Sequence, residues 1–207
     1  VTTVSTKITN LKVYMSSIFL QEAVRDELSM LVTQIMLPLT EALSPITLTG
    51  VNETQRINAN HPVDEIIWFI VDKRNLRRWY RKYNDYTVFN TGASPMLTGK
   101  IMFQSTERIT ERPFGFFRYE QHLRFHTNIS DTMIYLYSFS QAPEEFQPTS
   151  TANFSRLTDV TIELVLDPNL FVAIEDVAPA GVELQVFTRH RNFMRIASGV
   201  AGKTFAS

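Results

Sequence analysis

The chain has 207 residues, with 20 Lys and Arg against 21 Asp and Glu, so its net charge is −1. This balance argues against a general nucleic-acid-binding protein, whose surface carries an excess of positive charge. The sequence contains no cysteine, which excludes disulfides and thiolate metal sites. It also has no apolar run near the roughly 20 residues of a membrane-spanning helix, and its first residues lack the features of a signal peptide.

Segments rich in Val, Ile, Thr and aromatic residues alternate with turn residues along the chain, which predicts about eight strands. In chain order the predicted strands cover residues 9–15, 31–39, 63–71, 100–104, 118–125, 133–139, 159–167 and 181–189. The period of two is clear in the seventh of these, where Val160, Ile162 and Leu164 alternate with polar residues. Many short strands of this kind are typical of a sandwich or barrel.

One short helix is predicted near the N-terminus. Ser16 or Ser17 would cap it, Glu22 would lie in an early turn, and Phe19 and Leu28 would belong to its apolar side. The chain shows no internal repeat, low-complexity tract or linker. Residues 1–207 are therefore predicted to form a single all-β domain.

The histidines give only a weak case for a metal site. His122 and His126 are four residues apart, a spacing that suits a metal on a helix. The surrounding sequence predicts a strand instead, on which the two would lie about 13 Å apart. A metalloenzyme of the cupin type would need a closer histidine pair with a carboxylate, so we predict no metal or cofactor and favour ordinary strand-end histidines.

Two pairs of adjacent carboxylates were considered for acid–base chemistry. Asp64 and Glu65 would point to opposite faces of a strand, so they could not easily share a proton. Glu144 and Glu145 lie between two prolines, in a segment typical of a solvated acidic loop. The sequence also lacks a nucleophile elbow, a P-loop and a zinc-protease motif, so we predict that the protein is not an enzyme.

The strongest charge anomaly is the segment 73–82 (KRNLRRWYRK), where six of ten residues are basic and Trp79 and Tyr80 are interleaved. Such a segment could contact an anionic partner, but the near-zero net charge favours a solvated loop or a contact between subunits. We combine it with the later acidic segment as a candidate subunit contact. The candidate residues are Lys73, Arg74, Arg77, Arg78, Arg81, Lys82, Glu144, Glu145 and Gln147.

Three sequence blocks, taken in order, resemble a known family. They are NHPVDEIIW at 60–68, YLYSF with PEEFQPT and NFSR between 135 and 156, and NFMRIASGVAG at 192–202. Together they resemble the second jelly roll of the double jelly-roll major capsid proteins of nucleocytoplasmic large DNA viruses. The sequence departs from that pattern at Thr149-Ser150, where the family has Ser-Gly, and at Phe125, where it has a second histidine.

The resemblance implies an eight-stranded jelly-roll sandwich of two antiparallel sheets, the C-terminal half of a longer chain whose first half is absent from residues 1–207. Three copies would form a pseudo-hexagonal capsomer, and capsomers would tile an icosahedral virion shell assembled in the host cytoplasm. Expected partners are other copies, neighbouring capsomers and minor capsid proteins, with an internal membrane nearby but not entered and no direct nucleic-acid contact. The alternative is a jelly-roll carbohydrate-binding module, suggested by Trp79, Tyr80 and Tyr83.

Overall fold

A computed structural model of the chain describes residues 10–77, 79–80, 82–197 and 200–204. The strands are β1 Thr33–Ala42, β2 Ile46–Leu48, β3 Asn52–Arg56, β4 Pro62–Asp72, β5 Met96–Phe103, β6 Thr106–Pro113, β7 Ile134–Ser138, β8 Ala152–Asn153, β9 Val160–Leu166, β10 Val182–Ala197 and β11 Val200–Lys203. The helices are α1 Glu22–Met30, a π-helical turn Phe116–Glu120 that runs into α2 Gln121–Phe125, and a 3-10 turn Pro168–Leu170.

The strands form two antiparallel sheets. The first has the order β1-β10-β4-β7, with the short strands β2, β8 and β11 added at its margins, and the second has the order β3-β9-β5-β6. If the eight principal strands are counted in chain order, the sheets run 1-8-3-6 and 2-7-4-5. This nesting of antiparallel pairs is the jelly roll, and it confirms the predicted eight-stranded sandwich of two antiparallel sheets.

The core lies between the two sheets and follows the period of two seen in the sequence. Buried and partly exposed residues alternate along all of β9 and along the first half of β10. Trp68 of β4 is fully buried, and its ring meets Phe117 edge to face at a centroid distance of 5.2 Å. Burial of large apolar side chains of this kind contributes about 1.5–3 kcal/mol each, which is the main stabilisation of a sandwich.

The predicted strand at 118–125 is wrong, because this segment is helical. Its buried residues Phe117, Arg118, Gln121 and His122 recur at spacings of three and four, which places them on one face of a helix. Gln121 fixes that face to the first sheet, since its side-chain oxygen accepts a hydrogen bond from the Ser138 backbone N–H at 3.2 Å. The aromatic content of the segment favoured a strand and hid the helical spacing.

The N-terminal predictions are confirmed only in part. The short helix exists, but α1 begins at Glu22 with Gln21 at its N-cap, later than the predicted Ser16 or Ser17. Thr9 lies outside the described residues, and 10–15 form no strand. Among the described residues nothing pairs with 10–15, and a lone strand does not form without a neighbour to accept its hydrogen bonds.

Candidate functional site

The first part of the site is the acidic loop, residues 143–149, which follows β7. Asp64 lies opposite it as an extra residue of β4, because β10 pairs with Glu65 and then with Val63 and skips the position between them. The fully buried Asp64 carboxylate accepts a hydrogen bond from Arg191 Nε at 2.5 Å. Burial raises the pKa of the Asp64 carboxyl, and the hydrogen bond and charge of Arg191 act in the opposite direction.

Arg191 holds the acidic loop by its backbone. Its Nη1 donates to the carbonyl of Phe146 at 2.8 Å, and its Nη2 donates to the carbonyls of Glu145 at 2.8 Å and Pro143 at 3.4 Å. One buried guanidinium therefore bonds three carbonyls of a loop that has no ladder of its own. Since unpaired buried carbonyls are costly, this arrangement fixes the path of the loop.

A histidine fixes the same loop by a side chain. His126 Nε2 lies 2.8 Å from Glu65 Oε2, and His126 Nδ1 lies 3.1 Å from Glu144 Oε1. The hydrogen bond to buried Glu65 raises the pKa of His126 against the effect of its burial. Glu144 also accepts hydrogen bonds from the backbone N–H and hydroxyl of Thr127, which together with His126 lower its pKa. Glu144 is 45% exposed, as expected for a solvated acidic loop, and its carboxylate is also bonded within the domain.

The last residue of the acidic loop is also bonded to residues just before the start of the loop. The hydroxyl of Thr149 lies 2.7 Å from that of Ser140 and accepts the backbone N–H of Ala142 at 2.9 Å. All residues of the loop after Pro143 are exposed, among them Glu145, Phe146 and Gln147. Phe146 is 56% exposed, so a large apolar side chain stands on a backbone that is already fixed.

The second part of the site is the basic loop, residues 73–82, which follows the other end of β4. Arg74 is fully buried and its Nη2 bonds Asp72 Oδ2 at 2.6 Å. Its remaining donors reach the carbonyls of Asn169 and Val172, both at 2.8 Å. Arg74 was predicted as a subunit contact, and the structure contradicts this, because every part of its guanidinium is enclosed by its own domain.

The other predicted residues of the basic loop lie nearer the surface. Lys73 Nζ pairs with Glu183 Oε1 at 2.5 Å, Arg77 Nη2 donates to the Ala178 carbonyl at 2.9 Å, and Lys82 Nζ lies 3.6 Å from Asp85 Oδ2. Arg78 and Arg81 lie outside the described residues. The side chain of Lys82 is 50% exposed, so it remains available to another molecule.

The aromatic residues of this region differ in exposure. Trp79 is 88% exposed and Tyr83 is 63% exposed, whereas Tyr80 packs edge-on against Phe89 at 4.7 Å. The basic loop therefore exposes Trp79 and Lys82, with the exposed Tyr83 directly after it, and it begins beside the buried Asp72–Arg74 pair.

The structure also revises the reading of the histidines. His122 lies in the first turn of α2 and His126 follows its last residue. Their ring centroids are 6.0 Å apart, so the distance expected for a strand is wrong. Burial lowers the pKa of His122, and the nearby charges of His126 and Arg118 add to this effect. In the part of the chain that the structure describes, no group of three or more His, Cys, Asp or Glu is arranged to hold a metal.

Sequence reasoning missed the residues that shape these loops, above all Asp72 and Arg191. A signal was present, because Asp64, Glu65 and Asp72 interrupt an otherwise apolar strand and ionised residues are rarely buried without a partner. The identity of each partner could not be read from this signal. Among the described residues, no helix is long and apolar enough to cross a membrane.

The fold and the site together define a class: a jelly-roll sandwich whose end loops are fixed by buried ion pairs and expose side chains at the surface. Residues 21–202 match the family model for the large eukaryotic DNA virus major capsid protein. The chain belongs to that family, and it is therefore a structural domain of a capsid protein. This confirms the resemblance found in the three sequence blocks.

Individual relatives agree with the family model. The chain is 36% identical over 116 residues to the major capsid protein of Chrysochromulina ericina virus, a match that covers 56% of this chain and 19% of that protein. It is 22% identical over 214 residues to the major capsid protein of Paramecium bursaria Chlorella virus 1, covering 86% of this chain and 48% of the relative. The chain thus spans about a fifth to about half of the length of these relatives.

Solved structures share the fold. The quasi-atomic model of the PBCV-1 virus capsid matches with a TM-score of 0.71 and 19% identity, over 91% of this chain and 55% of that one. The Faustovirus major capsid protein matches with a TM-score of 0.62 and 12% identity, over 86% of this chain and 36% of that one. At these identities the comparison shows a common fold.

Replacement of Arg191 by Met tests whether the acidic loop depends on the buried pair. We expect Arg191→Met to lower the free energy of unfolding by about 3–5 kcal/mol, because it leaves the Asp64 charge buried without its partner. Urea denaturation measures this loss. The control is Arg195→Met, an exposed arginine of the same strand, where we expect a change within about 0.5 kcal/mol. Equal losses in the two variants would contradict the role given to Arg191.

Proposed function

We propose that the chain is the C-terminal jelly roll of a double jelly-roll major capsid protein. Support comes from the order of the three sequence blocks and from the coverage of about half of the PBCV-1 chain. Further support comes from residues 11–19, which expose Leu11, Val13 and Phe19 by 79–96%. Helix α1 likewise buries none of its residues. Contiguous exposed apolar surface marks an interaction site, and in the proposal the first jelly roll of the same polypeptide covers it.

Three copies of the full polypeptide form a pseudo-hexagonal capsomer in this proposal. Each polypeptide supplies two jelly rolls, so three supply six, and the first and second jelly rolls alternate around the ring. Two second jelly rolls then meet only where neighbouring capsomers abut. The capsomers tile an icosahedral virion shell that is assembled in the host cytoplasm.

The observation that carries the contact proposal is the fixed acidic loop. A loop whose carbonyls are already bonded to Arg191 loses little entropy when it docks, so its exposed Phe146 and Glu145 can contribute to binding directly. The basic loop offers the opposite charge through Lys82, beside exposed Trp79. We infer that the acidic loop of one capsomer meets the basic loop of the next, a contact between two different patches that can repeat across a shell.

Each contact between the acidic loop of one capsomer and the basic loop of the next need not be strong. Many identical weak contacts sum across a shell, and weak individual contacts allow misplaced subunits to leave. Minor capsid proteins would strengthen the same boundaries. The proposal includes an internal membrane that the chain approaches without insertion, no direct nucleic-acid contact, and no catalytic turnover.

The native mass of the full-length polypeptide tests the capsomer. Light scattering on a sizing column should give the mass of three chains, and negative-stain images of that peak should show a hexagonal outline. A monomer that persists at high protein concentration would contradict the proposal.

A charge exchange tests the contact between capsomers. We expect Glu145→Lys and Lys82→Glu each to reduce the assembly of capsomers into larger particles by at least about tenfold, because each places like charges opposite one another. Both variants should keep the mass of the trimer. The double variant should recover assembly, since it restores opposite charges.

The control for the exchange is Glu120→Lys, which makes the same change at an exposed glutamate outside both loops. It should leave assembly unchanged. Turbidity and electron microscopy of purified trimers report the assembled fraction. If the double variant assembles no better than the single ones, the two loops do not meet.

A further inference from the structure

His126 joins three separate parts of the domain. It lies at the end of α2, and its two ring nitrogens contact Glu65 of β4 at 2.8 Å and Glu144 of the acidic loop at 3.1 Å. We propose that His126 is a protonation switch for the acidic loop: the doubly protonated ring bonds both carboxylates and holds the loop closed, and loss of one proton releases the Glu144 side. This inference rests on the proposed function, because it names a regulation of the surface through which capsomers meet.

The chemistry of the three groups requires two ring protons. A neutral imidazole has one N–H donor and one acceptor nitrogen, whereas an ionised carboxylate only accepts. Glu65 also forms an ion pair with Arg189, whose Nη1 lies 3.3 Å from Glu65 Oε1. Glu144 accepts the backbone N–H and the hydroxyl of Thr127, which is also the pattern of an ionised acid. Both contacts of His126 are therefore satisfied together only in the imidazolium form.

The charges around His126 favour that form at this position. They come from β4, β10, the π-helical turn, α2 and the acidic loop, and comprise Asp64, Glu65, Arg118, His122, Arg124, Glu144, Glu145, Arg189 and Arg191. Asp64 is paired with Arg191, which leaves Glu65 and Glu144 as the carboxylates in contact with the ring. The ring centroids of His122 and His126 are only 6.0 Å apart, so a positive charge on one ring opposes protonation of the other. His126 carries the charge, because it is the ring that contacts the two carboxylates.

The direction of the pH effect follows from the raised pKa of His126. The closed loop is fully favoured below the ordinary histidine pKa of about 6.5, and it is lost as the pH rises through the higher value in the folded protein. The bonds from Arg191 to the loop carbonyls do not involve His126, so the loop loosens while these carbonyls stay bonded. Burial lowers the pKa of His122 and of His190, and these residues shift global stability in the opposite direction with pH. A local measurement is therefore needed.

In the full-length protein, the acidic loop and the His126 ring are each followed between about pH 5 and 9. This range extends to both sides of the ordinary histidine pKa. Hydrogen exchange with mass spectrometry, corrected by an unfolded peptide of the same sequence, reports protection of residues 143–149. We expect protection to fall by about tenfold as the pH rises. This is the lower end of the range for a hydrogen bond to a charged group, because the Glu144 side chain is 45% exposed and solvent weakens the contact. Nitrogen chemical shifts of the His126 ring should show two N–H groups at low pH and one at high pH.

Two matched variants isolate the contact. Glu144→Gln provides an amide that can donate to a neutral ring, so it should reduce the pH step in loop protection at least fivefold. Glu145→Gln makes the same change at the neighbouring exposed residue and should keep the step. A single ring N–H across the whole pH range, or an unchanged step in Glu144→Gln, would overturn the switch.

These outcomes are separable from those of the proposed function. A monomeric protein with a pH-dependent acidic loop would refute the capsomer and leave the switch. A trimer whose acidic loop shows equal protection at all pH values would refute the switch and leave the capsomer.

Discussion

Strand β4 carries a buried aspartate near each of its ends, and the end loops of the domain depend on these two aspartates for their shape. Asp64 bonds Arg191, whose remaining donors hold carbonyls of the acidic loop. Asp72 bonds Arg74, whose remaining donors hold the carbonyls of Asn169 and Val172 in the loop before β10. The same arrangement is thus used twice: a strand of the core anchors an arginine, and the arginine gives shape to a loop that has no sheet of its own.

This use of charge is about shape more than stability. A buried ion pair often contributes no more than well-packed apolar side chains would, because both ions are removed from water. The pair does something that apolar residues cannot do, since one guanidinium bonds several carbonyls at set angles. We infer that a capsid domain benefits because its end loops must have one shape in every copy of a repeating shell.

The sequence predicted those parts of the fold whose cause is local. The period of two along β9 and the first half of β10 follows from one face being buried. Strand β9 was therefore predicted close to its observed bounds, whereas β10 was predicted only as far as residue 189 and continues to Ala197. The helix α2 was missed, because the aromatic residues of the segment favour a strand by their propensity. The site was predicted less well, since Asp64 and Arg191 are 127 residues apart and only the folded chain brings them together. Arg74 was misassigned to the surface because the carbonyls of Asn169 and Val172, which help to enclose it, are 95 and 98 residues away in the sequence.

We propose that the pre-shaped acidic loop forms a boundary between capsomers, and a high-resolution cryo-electron microscopy map of the assembled shell would reveal whether it does. We expect residues 143–149 to keep the path fixed by Arg191 and Phe146 to be covered by a neighbouring capsomer. A shell in which these residues face open solvent, or in which the loop has left Arg191, would contradict it.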